Sequence, residues 1–429
     1  MTSDSAPMGG QHERTDEAVG PVRVVVDLDA IGANVRALQR HAGGTPLLAV
    51  VKGDAYGHGL LPVARTARAA GAAWLGTAQL SESLRLRRGG IDGPILSWLH
   101  APGADFAAAL EADIDLGVSG EWALAEIEAA AASTGRIARV HLKLDTGLGR
   151  NGAYAPGSPF SSGAGAGGVR RVSTGPDAAQ PLGGGAAELI ELAARAQDRG
   201  RVQVVGLMSH FAASDTPGDP SIAAQQEVFG AAVDAAARAG LDIRWRHLAN
   251  SAAVLTDPSA RYDLVRPGLA MYGLSPVPDL GGPSSYGLVP AMRVEADVAL
   301  VKAVPAGQGV SYGHTYTTAS DTRVALLPIG YADGVPRHAS GAGPAVLRGR
   351  RFTIAGRVCM DQVALDIGDL DARPGDVAVL FGDGRDGSPT AQDWAQAAGT
   401  ISYEIVTRMS GRLPRVYVGG PTEGDGSGE

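Results

Sequence analysis

Polar residues stand at or just past the ends of five short apolar runs in this chain. Lys52 closes PLLAVV ahead of the glycine-rich KGDAYGHG, Lys143 and Asp145 close RVHLKLD, and His210 ends VQVVGLMSHF. His247 with Asn250 and Ser251 falls in and after IRWRHLAN, and Arg266 in LVRPG precedes Gly268 and Leu269. Lysine is almost never fully buried without a partner. Lys52 is therefore either solvated at a strand mouth or held by a group that changes its charge. The Ser251 hydroxyl and the backbone of Asn250, Gly268 and Leu269, with no arginine cluster beside them, suit a phosphate held by N–H groups.

Placing these residues together demands a particular arrangement of elements. The apolar runs PLLAVV, AAWLGTA, PILSWL, DIDLGVS, RVHLKLD, VQVVGLMSHF, IRWRHLAN and LVRPG alternate with alanine-rich stretches of helical spacing, such as EWALAEIEAAAAS. RVVVDLDAIGANVRALQRHAGG reads as a strand, a helix start at Asp29, and a helix with Ile31, Val35 and Leu38 on one face. Eight strands with intervening helices are the pattern of a (β/α)8 barrel over residues 22–287, whose active sites lie at strand C-terminal ends. An open doubly wound sheet alternates in the same way, but the barrel puts all five strand ends on one rim. The ends of strands seven and eight commonly bind phosphate in barrels. A lysine opposite such a cradle points to pyridoxal 5'-phosphate held as a Schiff base.

Beyond Pro290 the texture changes to ALVKAV, TRVALLPIG, FTIAGRV, QVALDIG and DVAVLFG, with one helical stretch near Thr390 to Thr400. Residues 288–418 are thus expected to form a mostly β domain. Between Tyr154 and Gly185 the composition collapses to Gly, Ser, Pro and Ala, which reads as a flexible insertion at 154–185. Residues 1–21 and 419–429 read as disordered tails.

Composition excludes several classes. The net charge of −8 provides no basic field, so neither nucleic acid nor an anionic membrane is expected as a partner. No apolar run is long enough for a membrane span, and the polar N-terminus lacks the apolar segment of a secretory signal, so a cytoplasmic protein is expected. A single cysteine, Cys359, forbids an internal disulfide. The histidines (His58, His100, His141, His210, His247) show no metal-ligand spacing, so no metal is expected.

Two motifs mislead. Gly147 to Gly152 fits G-x-G-x-x-G after a strand, but the insertion follows where a dinucleotide fold needs a helix. Gly309 to Gly313 (GVSYG) fits a hydrolase nucleophile elbow, but turn and strand follow it.

In order and spacing, VVKGDAYGHG, HLKLDTGLGRNG, GLMSHFAASD, HLANSAA, LVRPGLAMYG, GVSYGHTY, LPIGYADG, GRVCMDQ and ISYEIVTR resemble the alanine racemase family of fold-type III pyridoxal-phosphate enzymes. The likeness runs from about Val22 to Val418, and Gly53 stands where alanine is more usual. The resemblance implies a homodimer that interconverts L- and D-alanine, supplying D-alanine for peptidoglycan. Lys52 would carry the cofactor and act as a base on one substrate face, while Tyr312 from the other subunit serves the opposite face. Tyr56, Tyr403, Asn250, Ser251, Gly268 and Leu269 would hold the phosphate. His210 would pack on the pyridine ring, and Arg266, held by His247, would face its nitrogen. The resemblance gives substrate binding to Arg150 and the Met360 backbone. It makes Lys143 a carbamylation site that orients Arg150, and lines the corridor into the pocket with Tyr331, Arg337, Arg357 and Asp361. A fold-type III decarboxylase is the nearest rival. It resembles the chain less around SYG and CMD, although Cys359 matches the cysteine such enzymes often use.

Overall fold

The computed structural model describes residues 20–155, 184–409 and 411–421. Most of both tails and of the 154–185 insertion lies outside the described residues. Strands Leu48–Val50, Trp74–Thr77, Ile95–Ser97, Asp115–Val118, Ala138–Asp145, Val202–Met208 and Trp245–His247 pair in that order, every neighbour parallel. Nearly all residues of the first six are buried, as expected of parallel strands covered on both faces.

The eighth run, LVRPG, forms no regular strand, yet it closes the ring. On one side Asp263 N and Arg266 N donate to Arg246 O (3.0 Å) and Ala249 O (2.9 Å). On the other, Leu48 N donates to Val265 O (2.8 Å) and Val50 N to Pro267 O (3.1 Å). Pro267 has no N–H to continue a ladder, and Gly268 (φ −114, ψ −88) turns the chain out of extended geometry. One parallel bridge, Leu47 to Val265, is left.

The strand Val22–Asp27, expected to open the barrel region, instead joins the sheet of the C-terminal half. It pairs antiparallel with Met292–Asp297 and parallel with Arg415–Val418. Its alternating burial explains the placement, because a barrel strand is buried on both faces and this one on a single face. Asp27, not Asp29, caps helix Leu28–His41, its Oδ1 accepting Ala30 N at 2.9 Å. Ile31, Val35 and Leu38 face the core, as their spacing predicts.

The C-terminal half adds a three-stranded antiparallel sheet of Leu300–Val304, Thr322–Leu327 and Val363–Gly368. It carries two helices where one was expected, Ala391–Ala398 and Ser402–Arg408. Gly399 (φ 65) ends the first, and the short second one packs against the turn after Lys52. Among the described residues, no helix is long and apolar enough to cross a membrane, and no group of three or more His, Cys, Asp or Glu could hold a metal ion.

Candidate active site

Past strand Leu48–Val50 the chain enters an unusual turn: Gly53, Asp54, Ala55 and Tyr56 all have positive φ (64, 51, 55 and 54°). Left-handed geometry costs about 1–2 kcal/mol per non-glycine residue, so the surroundings must hold it. Gly57 N returns to Gly53 O at 2.9 Å, and Leu60 N and Arg85 Nη1 both donate to Asp54 Oδ1 at 3.0 Å. His58 Nδ1 lies 3.1 Å from Ala55 O and 3.0 Å from Tyr56 O, so it carries the proton and donates. At Gly57 (φ 80) a Cβ would sit 2.5 Å from Val406 O, so helix Ser402–Arg408 closes down only on glycine.

The turn puts Lys52 and Tyr56 beside a cluster of cations. Lys52 is held below the ordinary lysine range by burial first, then by Arg150 and Arg266, with Glu82 opposing them. Lys143 is buried and pulled to about 7 by burial, Arg266 and Arg150, with Asp145 opposing. Among the described residues Lys143 has no ion pair within 4.0 Å. Asp145 is engaged elsewhere, accepting Gly147 N (3.0 Å), Gly149 N (3.1 Å) and Arg150 N (2.9 Å). This shapes the loop that presents Arg150.

Arg266 is buried without a carboxylate partner among the described residues. Its Nη1 donates to His247 Nδ1 (3.0 Å) and His247 O (2.6 Å), and its Nη2 to Ser209 O (2.7 Å), with His210 Nδ1 at 3.4 Å. Burial lowers the guanidinium to about 10, which leaves it charged at pH 7. A guanidinium only donates, so His247 Nδ1 must accept and its proton sits on Nε2. That Nε2 meets His141 Nδ1 at 2.9 Å, and His141 Nε2 then faces Asp115 Oδ2 at 3.4 Å. Asp115 Oδ1 in turn takes Arg139 Nε at 2.7 Å. Burial followed by the Arg266 charge keeps His210 and His247 far below the usual histidine range, so both are neutral.

Ser251, Gly268 and Tyr56, expected to hold a phosphate, lie together at the rim. Ser251 Oγ accepts Gly268 N (2.8 Å) and Ala270 N (3.2 Å). The Asn250 side chain is spent on Ala253 N (3.1 Å) and Ser214 Oγ (2.7 Å) and its carbonyl on Val254 N (2.9 Å), which leaves its backbone N–H for a ligand. A Cβ on Gly268 would lie 2.3 Å from the Tyr56 hydroxyl, so the glycine keeps that hydroxyl at the cradle. Tyr56 stacks on Tyr272 at 4.7 Å and lies 6.2 Å from the Tyr403 ring. Burial raises Tyr403 to about 12 and Tyr56 further, so both remain hydroxyl donors. Leu269 opens the buried turn Leu269–Tyr272. Hydroxyl and N–H donors converging beside a lysine fit the phosphate and aldehyde ends of pyridoxal phosphate.

The remaining site residues gather on the C-terminal half. Tyr312 is 71 % exposed, Met360 54 % and Tyr331 39 %. Ser311 Oγ donates to Arg357 O (2.8 Å) and touches Cys359 Sγ (3.3 Å), while Tyr331 N donates to Cys359 O (3.0 Å). Asp361 is paired with Arg412 at 2.6 Å, and Arg337 lies on an exposed turn. The structure therefore groups the expected residues in two sets, the barrel rim and this exposed surface. Sequence reasoning missed His141, Asp115, Glu82 and Tyr272. The alternation in HLKLD, which puts His141 on the face of Lys143 and Asp145, was the available signal for the first.

Comparison with known proteins follows the same lines. The model of the alanine racemase N-terminal domain matches residues 26–160 and 181–276, and that of the C-terminal domain residues 291–417. An alanine racemase from Beutenbergia cavernae is 52% identical, the match covering 93% of this chain and 98% of that protein. One from Streptomyces coelicolor is 50% identical over 94% of this chain and 98% of its own length. The crystal structure of alanine racemase from D-cycloserine-producing Streptomyces lavendulae superimposes with a TM-score of 0.87 at 52% identity, covering 94% of this chain and 99% of that one. With both domain models matched in order and half the residues shared along nearly the whole length, the chain belongs to the alanine racemase family.

Proposed function

We propose that this chain interconverts L-alanine and D-alanine with pyridoxal 5'-phosphate, using Lys52 on one face of the substrate Cα and Tyr312 of the partner subunit on the other. The observation that carries this reading is the rim cluster: a half-buried lysine of lowered proton affinity near a carboxylate-free Arg266 and the Ser251, Gly268 and Tyr56 cradle. When bound, the cofactor supplies an electron sink for the charge left at Cα.

The chain's own residues divide the rest of the work. Lys52, neutral more readily than an ordinary lysine, accepts or returns a proton at Cα. Arg266 keeps its own proton and offers a bound cofactor no proton to take up, so the sink it holds would be a weak one, which would favour return of the proton over side reactions. Arg150 takes the substrate carboxylate, with the Met360 N–H of the partner subunit. Each positioned proton-transfer group is worth roughly 10²–10⁴-fold. The exposed Tyr312, Met360 and Tyr331 support a homodimer in which this surface covers the partner's rim. Tyr331, Arg337, Arg357 and Asp361 then line the corridor. A neutral Lys143 amine is what reaction with carbon dioxide requires, and a carbamate there would give Arg150 and Arg266 an anion. The same reading makes the chain a cytoplasmic source of D-alanine for peptidoglycan.

The test is borohydride reduction of the full-length protein with pyridoxal phosphate, then peptide mapping. A pyridoxyl group on Lys52 is expected; one confined to other lysines contradicts the reading.

A further inference from the structure

The strained turn after Lys52 is not held by its own hydrogen bonds alone. Glu82 occupies the third position of helix Leu80–Arg88, where its Oε2 accepts Gln79 N at 3.2 Å as an ordinary capping-box carboxylate. Its Oε1 does something the cap does not need. It crosses to the first barrel loop, accepting Gly53 N at 2.6 Å and, more weakly, Asp54 N at 3.4 Å. These are the first two left-handed residues after the lysine.

We propose that Glu82 is a positioning residue for Lys52: its carboxylate pins the Gly53 and Asp54 amides, fixes where the left-handed turn begins, and sets an anion among the cations around the lysine amine. A charge-assisted bond of 2.6 Å to a backbone N–H is among the stronger ones available. No other hydrogen bond from helix Leu80–Arg88 to Gly53 is found among the described residues; Arg85 holds the far side of the turn through Asp54. The charged groups acting on the Lys52 amine are Arg150 and Arg266, which disfavour its proton, and Glu82, which favours it. Lys143 and His210 also sense Lys52 from strands elsewhere in the ring. Glu82 thus couples geometry to charge: the same carboxylate that locks the turn keeps Lys52 from losing its proton too early. The proposal rests on Lys52 being the reactive amine of the proposed function.

The test uses the full-length chain free of cofactor, so its outcome is separate from whether pyridoxal phosphate attaches to Lys52. Backbone hydrogen exchange is followed at Gly53 and Asp54, and acetic anhydride labelling of Lys52 is titrated against pH, in wild type, Glu82→Gln and Glu82→Ala. Glu82→Ala should speed exchange of both amides at least ten-fold. Glu82→Gln, which keeps an oxygen for Gly53 N–H but no charge, should restore most of that protection while moving the Lys52 labelling midpoint to lower pH. Unchanged exchange in Glu82→Ala, or an unmoved midpoint in Glu82→Gln, overturns the proposal. Should Glu82→Ala fail to fold, the Glu82→Gln midpoint decides.

Discussion

Arg266 Nη1 donates to His247 Nδ1 at 3.0 Å, and that bond fixes the tautomer of every imidazole behind it down to Asp115. The guanidinium is oriented by neutral acceptors and by a dipolar relay that ends on a carboxylate inside the barrel. A buried cation held this way keeps its charge for whatever lies in front of it. A carboxylate at the same distance would spend it.

The relay depends on the glycine beside it. A Cβ on Gly206 would fall 2.0 Å from His141 Nδ1. Gly206→Ala must therefore displace the His141 ring and leave His247 Nε2–H without its acceptor. A loss of about 2–4 kcal/mol in denaturant unfolding is expected from the clash and the orphaned donor. Combined with His141→Ala, it should cost far less than the sum of the two changes.

His58 ties the left-handed turn to acid stability. It is fully buried, and burial pulls it from the usual 6.5 to about 4, against the pull of its two carbonyl acceptors. The unfolded chain binds this proton first as pH falls. The stability from a neutral His58 is complete above about 6.5 and is lost progressively down to about 4, a total of about 3 kcal/mol. His58→Asn keeps a donor for the carbonyls but does not titrate. Thermal unfolding between pH 7 and 4 should show a shallower decline in the variant than in wild type.

Tyr312→Phe removes the hydroxyl and leaves the barrel rim intact. The variant should still carry pyridoxal phosphate on Lys52. Exchange of the Cα proton with deuterated solvent should fall by roughly 10²–10⁴-fold for one alanine enantiomer and change little for the other. Equal, unaltered exchange from both enantiomers rules out a second base at this position.

Lys143 predicts a pH-dependent adduct. With its proton affinity near 7, the amine is free above that pH and protonated below it, and only the free amine reacts with carbon dioxide. A carbamate signal in 13C spectra under labelled carbon dioxide should appear as pH rises through about 7. It should be missing from Lys143→Gln.

Strand ends made most of the rim legible from sequence, because a polar residue closing an apolar run is a local pattern. Lys52, Lys143, His210, His247 and Arg266 all follow it. What escaped was non-local. Glu82 reads as an ordinary exposed helix charge until the fold brings it to Gly53, thirty residues upstream less one. The alternation that marks Val22–Asp27 as half-exposed was present, but its partners Met292–Asp297 and Arg415–Val418 lie at the far end of the chain. Tyr312 and Met360 stand on the exposed second surface, so the place proposed for them beside a partner's Lys52 depends on two chains, and no single-chain pattern encodes it.

The most direct measurement is chiral chromatography of L-alanine incubated with the purified chain and pyridoxal phosphate. D-alanine rising toward an equal mixture is the predicted result. Alanine consumed without D-alanine, or left entirely as the L form, would contradict it.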